Sequence, residues 1–414
     1  MSFSKLPYEL QETVLASQTK PDLKRLCLVS KAFLEVARPL LYRSLKITFL
    51  SQDEERRLFE YRLEEEEEEE ADAEDGSNSE SFETSFTKQV SRQAALLRTF
   101  GQRSHWKSYV KEVEAIIAED PDQLAAELIH LISSFSTLQS LKFSTGGLTT
   151  WVEKKVMEDL LGSCSRTLRS IHLDQARLKT DELHRVLRNL PHLESIALPE
   201  LDLDGDSLAS TTHEALALAH LERLVVLHPN RPFLHSLATF TPSLVSIHVD
   251  WNALESLDHS RLSTIQRLTL SGYPDNSDTH DIESLSRLVS VVLGACTSLR
   301  SFIVIDRARG ADSSVSENLV THRFLQHLSP NLQFLSLDVK CLDSSYLLEW
   351  ISSINSTLQQ IELSRFGQYT RHRLPGRRSQ SRIEVTYDTV KEREIEELCG
   401  RRGIALTWIG VGNH

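Results

Sequence analysis

The chain has 414 residues, 40% of them apolar, a formal net charge of −13 and five scattered cysteines, and it contains no run of 18 apolar residues. With no membrane span, no apolar secretory core in the N-terminal MSFSKLPYEL and an odd, widely spaced cysteine set, the expectation is a reduced, intracellular protein built as a few domains or one repeat array. The charge is local: residues 51–85 hold 16 acids and three arginines, so the remainder is balanced, which speaks against nucleic-acid binding.

Residues 6–47 predict three short helices and a strand-like tail. Pro7 suits a first helical turn, and Leu10, Val14 and Leu15 continue one apolar stripe. Asp22 is placed to cap a second helix carrying Leu23, Leu26, Cys27 and Val29, which continues toward Phe33. Ala37-Arg38-Pro39 predicts another break before Leu40–Leu45 and the strand-like Lys46-Ile47-Thr48-Phe49. Forty residues cannot cover this much Leu, Val and Phe alone, so a partner is the expected cover.

The order Leu6-Pro7-x-Glu9-Leu10, then Asp22-Leu23, then Leu26-x-Leu28-Val29-Ser30-Lys31-x-Phe33, then Ala37-x-Pro39-Leu40-Leu41-Tyr42-Arg43 resembles an F-box. The sequence departs from that pattern at Gln18, where the family usually has an apolar residue, and at Phe33, where tryptophan is common. The resemblance implies an F-box over residues 1–49, docking onto a Skp-type adaptor and through it a cullin. By motif position it assigns the contact to Leu6, Pro7, Leu10, Val14, Leu15, Leu28, Val29 and Phe33.

Residues 50–87, with seven consecutive glutamates at 64–70, read as an acidic disordered loop. An amphipathic helix is expected from Lys88 to Phe100, where the C-terminal region 88–414 begins.

That region is organised by a hexapeptide, apolar-x-x-apolar-x-apolar. It is readable at Val110-x-x-Val113, Leu138-x-x-Leu141-x-Phe143, Leu168-x-x-Ile171-x-Leu173, Leu193-x-x-Ile196-x-Leu198, Leu221-x-x-Leu224-x-Val226, Leu244-x-x-Ile247-x-Val249, Ile265-x-x-Leu268-x-Leu270, Leu299-x-x-Phe302-x-Val304, Leu332-x-x-Leu335-x-Leu337 and Leu358-x-x-Ile361-x-Leu363. The last two apolar residues of each copy sit two apart, as the inward side chains of a short strand do. Helical runs lie between copies at Trp151–Leu161, Asp181–Leu190, Phe233–Phe240, Ile282–Leu293, Thr321–Leu328 and Ser344–Ile354. One strand and one helix cannot bury both apolar faces, so such units stack. The pattern resembles the leucine-rich repeat family. The fold class it implies is α/β: a short all-helical F-box followed by a solenoid with a parallel concave sheet, outer helices and a C-terminal cap.

Strand residues between the inward positions, and those just after, face the concave side. Ala197, Pro199, Val225 and Leu227 form an apolar centre there, flanked by His172 and Asp174 on one side and by His248, Asp250 and Trp251 on the other. An apolar centre with a polar rim is the makeup of a protein-binding hot spot, and the protein's own loops, such as Leu201–Thr212, are the competing cover. Neither His/Asp pair has a matching serine or cysteine nucleophile, no phosphate loop exists, and Cys164 and Cys296 read as small core residues at related repeat positions. Neither catalysis, a cofactor nor a metal is expected.

After the last copy, Arg365, Arg371, His372, Arg373, Arg377, Arg378 and Arg382 predict a solvated basic insertion. Ile383–Tyr387, a helix from Val390 to Arg401 and Ile404–Ile409 then predict a repeat-like cap. Together the resemblances imply a non-catalytic substrate-recognition subunit of a Skp-cullin-F-box ubiquitin ligase, binding an unidentified protein substrate and neither nucleic acid nor membrane. The rivals are a leucine-rich scaffold without a ligase role and a GTPase-activating leucine-rich protein.

Overall fold

The computed structural model describes residues 7–49, 56, 82–117, 123–144, 160, 166–178, 186–203, 218–227, 243–250, 254, 257, 259–271, 281–305, 325–338, 344–353, 357–364, 367–373, 381–387 and 389–409. The chain divides into two units, Met1–Asp206 and Ser207–His414.

The first unit begins with α1 (Tyr8–Ala16), α2 (Lys20–Val29) and α3 (Lys31–Arg43), and α3 runs directly into β1 (Ser44–Phe49). There follow α4 (Phe82–Gln102), a 3-10 turn (Ser104–Tyr109), β2 (Glu112–Ile117), α5 (Gln123–Ser133), β3 (Ser140–Ser144), β4 (Ser170–Leu173), β5 (Gln175–Leu178), β6 (Ser195–Leu198) and β7 (Glu200–Leu203). The parallel order is β1-β2-β3-β4-β6, while β5 and β7 make a separate parallel pair.

The second unit holds β8 (Arg223–Val226), β9 (Ser246–Asp250), a 3-10 turn (His259–Thr264), β10 (Arg267–Ser271), α6 (Asp281–Ala295), β11 (Ser301–Ile305), β12 (Phe334–Asp338), α7 (Ser344–Ser353) and β13 (Gln360–Ser364). It ends with β14 (Gly367–Arg373), β15 (Ser381–Tyr387), α8 (Thr389–Arg402) and β16 (Ala405–Ile409). Its parallel order is β8-β9-β10-β11-β12-β13-β16. Both units are α/β stacks of leucine-rich-repeat type.

The hexapeptide dictates this. In all ten copies the first apolar side chain is 6% exposed or less and the later ones 2% or less. Burying each Leu, Ile or Phe contributes about 1.5–3 kcal/mol, and register keeps them on one face. Leu141 stands beside Ile171 and Ile171 beside Ile196 in the first unit; Leu268, Phe302, Leu335 and Ile361 do the same in the second. At the entrances of β3, β4, β6 and β9–β13 one carbonyl accepts from two successive amides of the next repeat: Gln139 O from Arg169 N and Ser170 N, Gln266 O from Arg300 N and Ser301 N, at 2.8–2.9 Å.

Two further positions belong to the repeat. The residue before several first apolar positions is Ser or Thr, and its hydroxyl reaches back to the preceding repeat: Thr137 to Val110 O at 3.0 Å, Thr167 to Leu138 O at 2.8 Å, Thr357 to Leu332 O at 2.9 Å. Three residues before the first position stands a side chain whose carbonyl receives that position's amide, as in Phe135, Leu190, Leu218, Leu262 and Cys296, all 2% exposed or less. Cys296 thus fills a slot that leucine or phenylalanine fills elsewhere. Cys164 lies outside the described residues.

Several expectations need correction. Thr19, not Asp22, caps α2: Thr19 Oγ1 accepts from Asp22 N at 3.4 Å and donates to Asp22 Oδ2 at 2.6 Å, so the helix starts at Lys20 with Pro21 in its first turn. Pro39 does not end a helix but lies inside α3. β1 is the first strand of the parallel stack, with Tyr42-x-x-Leu45-x-Ile47 as an eleventh copy of the frame. α4 begins at Phe82, inside the stretch expected to be a loop, and Phe86 and Val90 continue its apolar stripe four residues apart. Residues 201–203, expected in a loop, form part of β7. The basic insertion is an antiparallel hairpin of β14 and β15, so 383–387 pairs with Gly367–Arg371, and β16 alone extends the stack beyond β13.

The helices expected over 282–293 and 344–354 are present. Of those over 151–161, 181–190 and 321–328 only a few residues are described, and 233–240 and the glutamate run lie outside the described residues.

Candidate functional site

The head, α1–α3, divides its apolar residues between an inner core and an exposed set. Helical spacing turns Gln11 and Leu15 of α1 inward, with Leu23, Leu26 and Cys27 of α2 and Phe33, Val36, Ala37, Leu40 and Leu41 of α3. These fill the head's own core. Left outside are Tyr8, Leu10 and Val14, each about half exposed, and Leu28 and Val29 at 88% and 67%. Leu10 and Val14 are one turn apart on α1. Leu28 and Val29 stand at the end of α2, where the chain turns at Ser30, whose hydroxyl caps α3 by accepting from Phe33 N at 3.3 Å.

The residues assigned by the F-box resemblance therefore fall into three groups. Pro7, Leu10, Val14, Leu28 and Val29 are exposed. Leu15 is 3% exposed inside the head, and Phe33 packs partly against the same core, so Leu15 has no free surface to offer a partner. Leu6 lies outside the described residues.

On the sheet face away from the apolar layer, the first unit carries a charge row. Lys46, Glu114, Lys142 and His172 are successive register partners, and Glu114 reaches Lys46 Nζ at 3.7 Å and Lys142 Nζ at 3.2 Å. His172 Nε2 meets Asp174 Oδ1 at 2.5 Å, each side chain about one-third exposed. Asp174 is held below the usual carboxylate range, chiefly by that hydrogen bond and further by the charges of His172 and Lys142, against the opposing effect of burial. Next to His172 in register stands Ala197, only 8% exposed.

In the second unit Val225 pairs with His248; Val225 is 8% exposed, while Leu227, His248 and Asp250 are half-buried. Of the expected apolar centre, Ala197 and Val225 are each 8% exposed, and Pro199 and Leu227 are half-buried. Trp251 lies outside the described residues. The Lys46–Glu114–Lys142 row was missed, although the middle positions of the first strands display it in the same frame.

Among the described residues, no group of three or more His, Cys, Asp or Glu side chains could hold a metal ion, and no helix is long and apolar enough to cross a membrane.

No family model matches the chain, and no curated protein sequence matches it significantly. Among solved structures it is similar to a chain of the Rad7 and Elc1 complex in yeast, at 15% identity over 62% of this chain and 70% of that one, with a TM-score of 0.34. It is also similar to the leucine-rich repeat-containing protein LegL7 from Legionella pneumophila, at 12% identity over 60% of this chain and 80% of that one, with a TM-score of 0.36.

Proposed function

We propose that the chain is the substrate-recognition subunit of a Skp-cullin-F-box type ubiquitin ligase. Its head docks on a Skp-type adaptor and through it a cullin, and its repeats hold a protein substrate. The observation that supports this is the apolar surface the head leaves in water: Leu10 and Val14 on α1, and Leu28 and Val29 at the end of α2, stay exposed although the head already has a filled core. Exposed apolar side chains clustered on one small element mark a protein contact. Burying each would contribute about 1.5–3 kcal/mol, enough together to offset association costs of several kcal/mol.

The mechanism is proximity. The chain itself performs no chemistry and needs no cofactor; holding a substrate lysine near the charged conjugating enzyme raises its effective concentration.

The test is co-expression with a Skp-type adaptor. Leu28→Asp with Val29→Asp abolishes co-purification of adaptor and cullin without lowering the melting temperature, while repeat-bound proteins, identified by mass spectrometry, remain. Adaptor recovered at wild-type yield from that variant overturns the proposal.

A further inference from the structure

β16 ends the second unit's order: β13 lies on one side of it, and among the described residues no strand lies on the other. Its sequence, Ala405-Leu-Thr-Trp-Ile409, has no charge and no proline, the guards that keep an exposed strand from pairing. Leu406 and Trp408 stand in register with Ile361 and Leu363, which are fully buried. Both are nevertheless only half-buried, and Ala405 and Thr407 are exposed.

The backbone shows which groups face outward. Ala405 N donates to Gln359 O at 2.9 Å, so the alternation of a parallel ladder turns the amides and carbonyls of Ala405 and Thr407 toward β13 and those of Leu406 away from it. A second Leu406, on a strand running the other way, supplies both an acceptor and a donor: about a two-fold axis each amide donates to the other's carbonyl. In that register Ala405 of one copy stands opposite Thr407 of the other, with about 4.5 Å between Cα atoms. Small uncharged side chains then meet on the exposed face, while on the inner face Leu406 meets its own copy with Trp408 diagonal to it.

The helix layer agrees in charge. α8 is held against α7 by Arg402, which donates to Ser352 O. Helical spacing puts Arg393, Glu396 and Gly400 on the side away from that contact, where a Cβ on Gly400 meets no atom within 4 Å and Glu396 accepts from Trp408 Nε1 at 2.8 Å. A face with a basic and an acidic residue is complementary to its own copy run antiparallel.

We propose that β16 pairs with β16 of a second copy of this chain, antiparallel about a two-fold axis at Leu406, so that the protein is a dimer. The pairing uses the same edge on both copies and therefore stops at two. It does not rest on the ligase reading.

The experiment uses the full chain and follows its mass by light scattering at micromolar concentration. Wild type has the mass of two chains. Ala405→Glu with Thr407→Glu, and Ala405→Lys with Thr407→Lys, each set like charges opposite one another and give monomers with the melting temperature of the diluted wild type. Mixing the two variants in equal amounts restores the dimer. In wild type the Leu406 amide exchanges with solvent roughly tenfold more slowly when the chain is concentrated than when it is dilute. Leu28→Asp with Val29→Asp leaves the mass unchanged, which separates this contact from the head's apolar surface. A monomeric wild type overturns the inference, including one that releases a foreign protein when the charges are introduced. So does a dimer that survives them, one that dissociates in the head variant instead, or a Leu406 amide whose exchange is independent of concentration.

Discussion

Gln93 Nε2, on α4, donates to the main-chain carbonyl of Thr48, on β1, at 2.8 Å across 45 residues of sequence. β1 is the outer strand of the first unit's order, and its free side is where carbonyls lack a ladder partner. Gln93 is 8% exposed, so the bond is shielded from water. Gln93→Leu keeps the bulk and removes the donor; the expected loss is about 1–2 kcal/mol, read as a lower midpoint in urea unfolding with an unchanged slope.

Leu15 and Val29 make opposite predictions within one head. Leu15→Ala opens a void in the head core and lowers stability by about 2–5 kcal/mol, whereas Val29→Ala, at a position 67% exposed, leaves the melting temperature within about a degree. Differential scanning calorimetry of the two variants separates core from docking face. A destabilised Val29→Ala would show that this residue serves the fold.

Burial pushes the Cys296 thiol up to about 12 and raises Cys399 as well. Since the thiolate is the nucleophile, both stay unmodified by an aromatic disulfide reagent at pH 8 in the native protein and react at once in denaturant. Peptide mapping after a native-state pulse identifies them. Labelling of Cys296 without unfolding would mean that its core slot opens.

Asp174 gives a pH signature of defined sign. Its carboxyl is lowered in the folded chain, so its contribution is present above the unfolded value of about 4 and disappears as pH falls through the lower folded one. The stability difference between wild type and Asp174→Asn is therefore level above about pH 5 and shrinks toward acid. A difference that grew on acidification would contradict the His172 contact as its cause.

Gly403 ends α8 with φ +70°, and Ile404 N reaches back to Cys399 O at 3.0 Å. A Cβ there meets no atom within 4 Å, so Gly403→Ala costs backbone strain alone, about 1 kcal/mol. Loss of several kcal/mol would point to a contact instead.

The strands were legible because each hexapeptide writes its burial in three letters, and those letters are inside at every copy, from Leu138 to Leu363. The faces between them were less so. Ala197 and Val225 read as surface positions in one dimension, yet each is only 8% exposed, a burial that strand alternation does not carry. Leu15 shows the same limit in a helix: it sits beside Val14 in sequence, and 100° of rotation separates core from surface.

Ser44 closes α3 and opens β1, so no linker parts the head from the first strand. Lys20 Nζ holds Ser44 O at 2.8 Å, Tyr42 lies 4.8 Å from the Trp106 ring, and Arg38 and Arg103 flank that ring. A protein seated on Leu28 and Val29 would thus be carried at a constant bearing to β1–β3, by a jointless mount and not a tether. In the ligase proposed above, geometry rather than a search through tethered conformations would then govern where substrate lysines can lie.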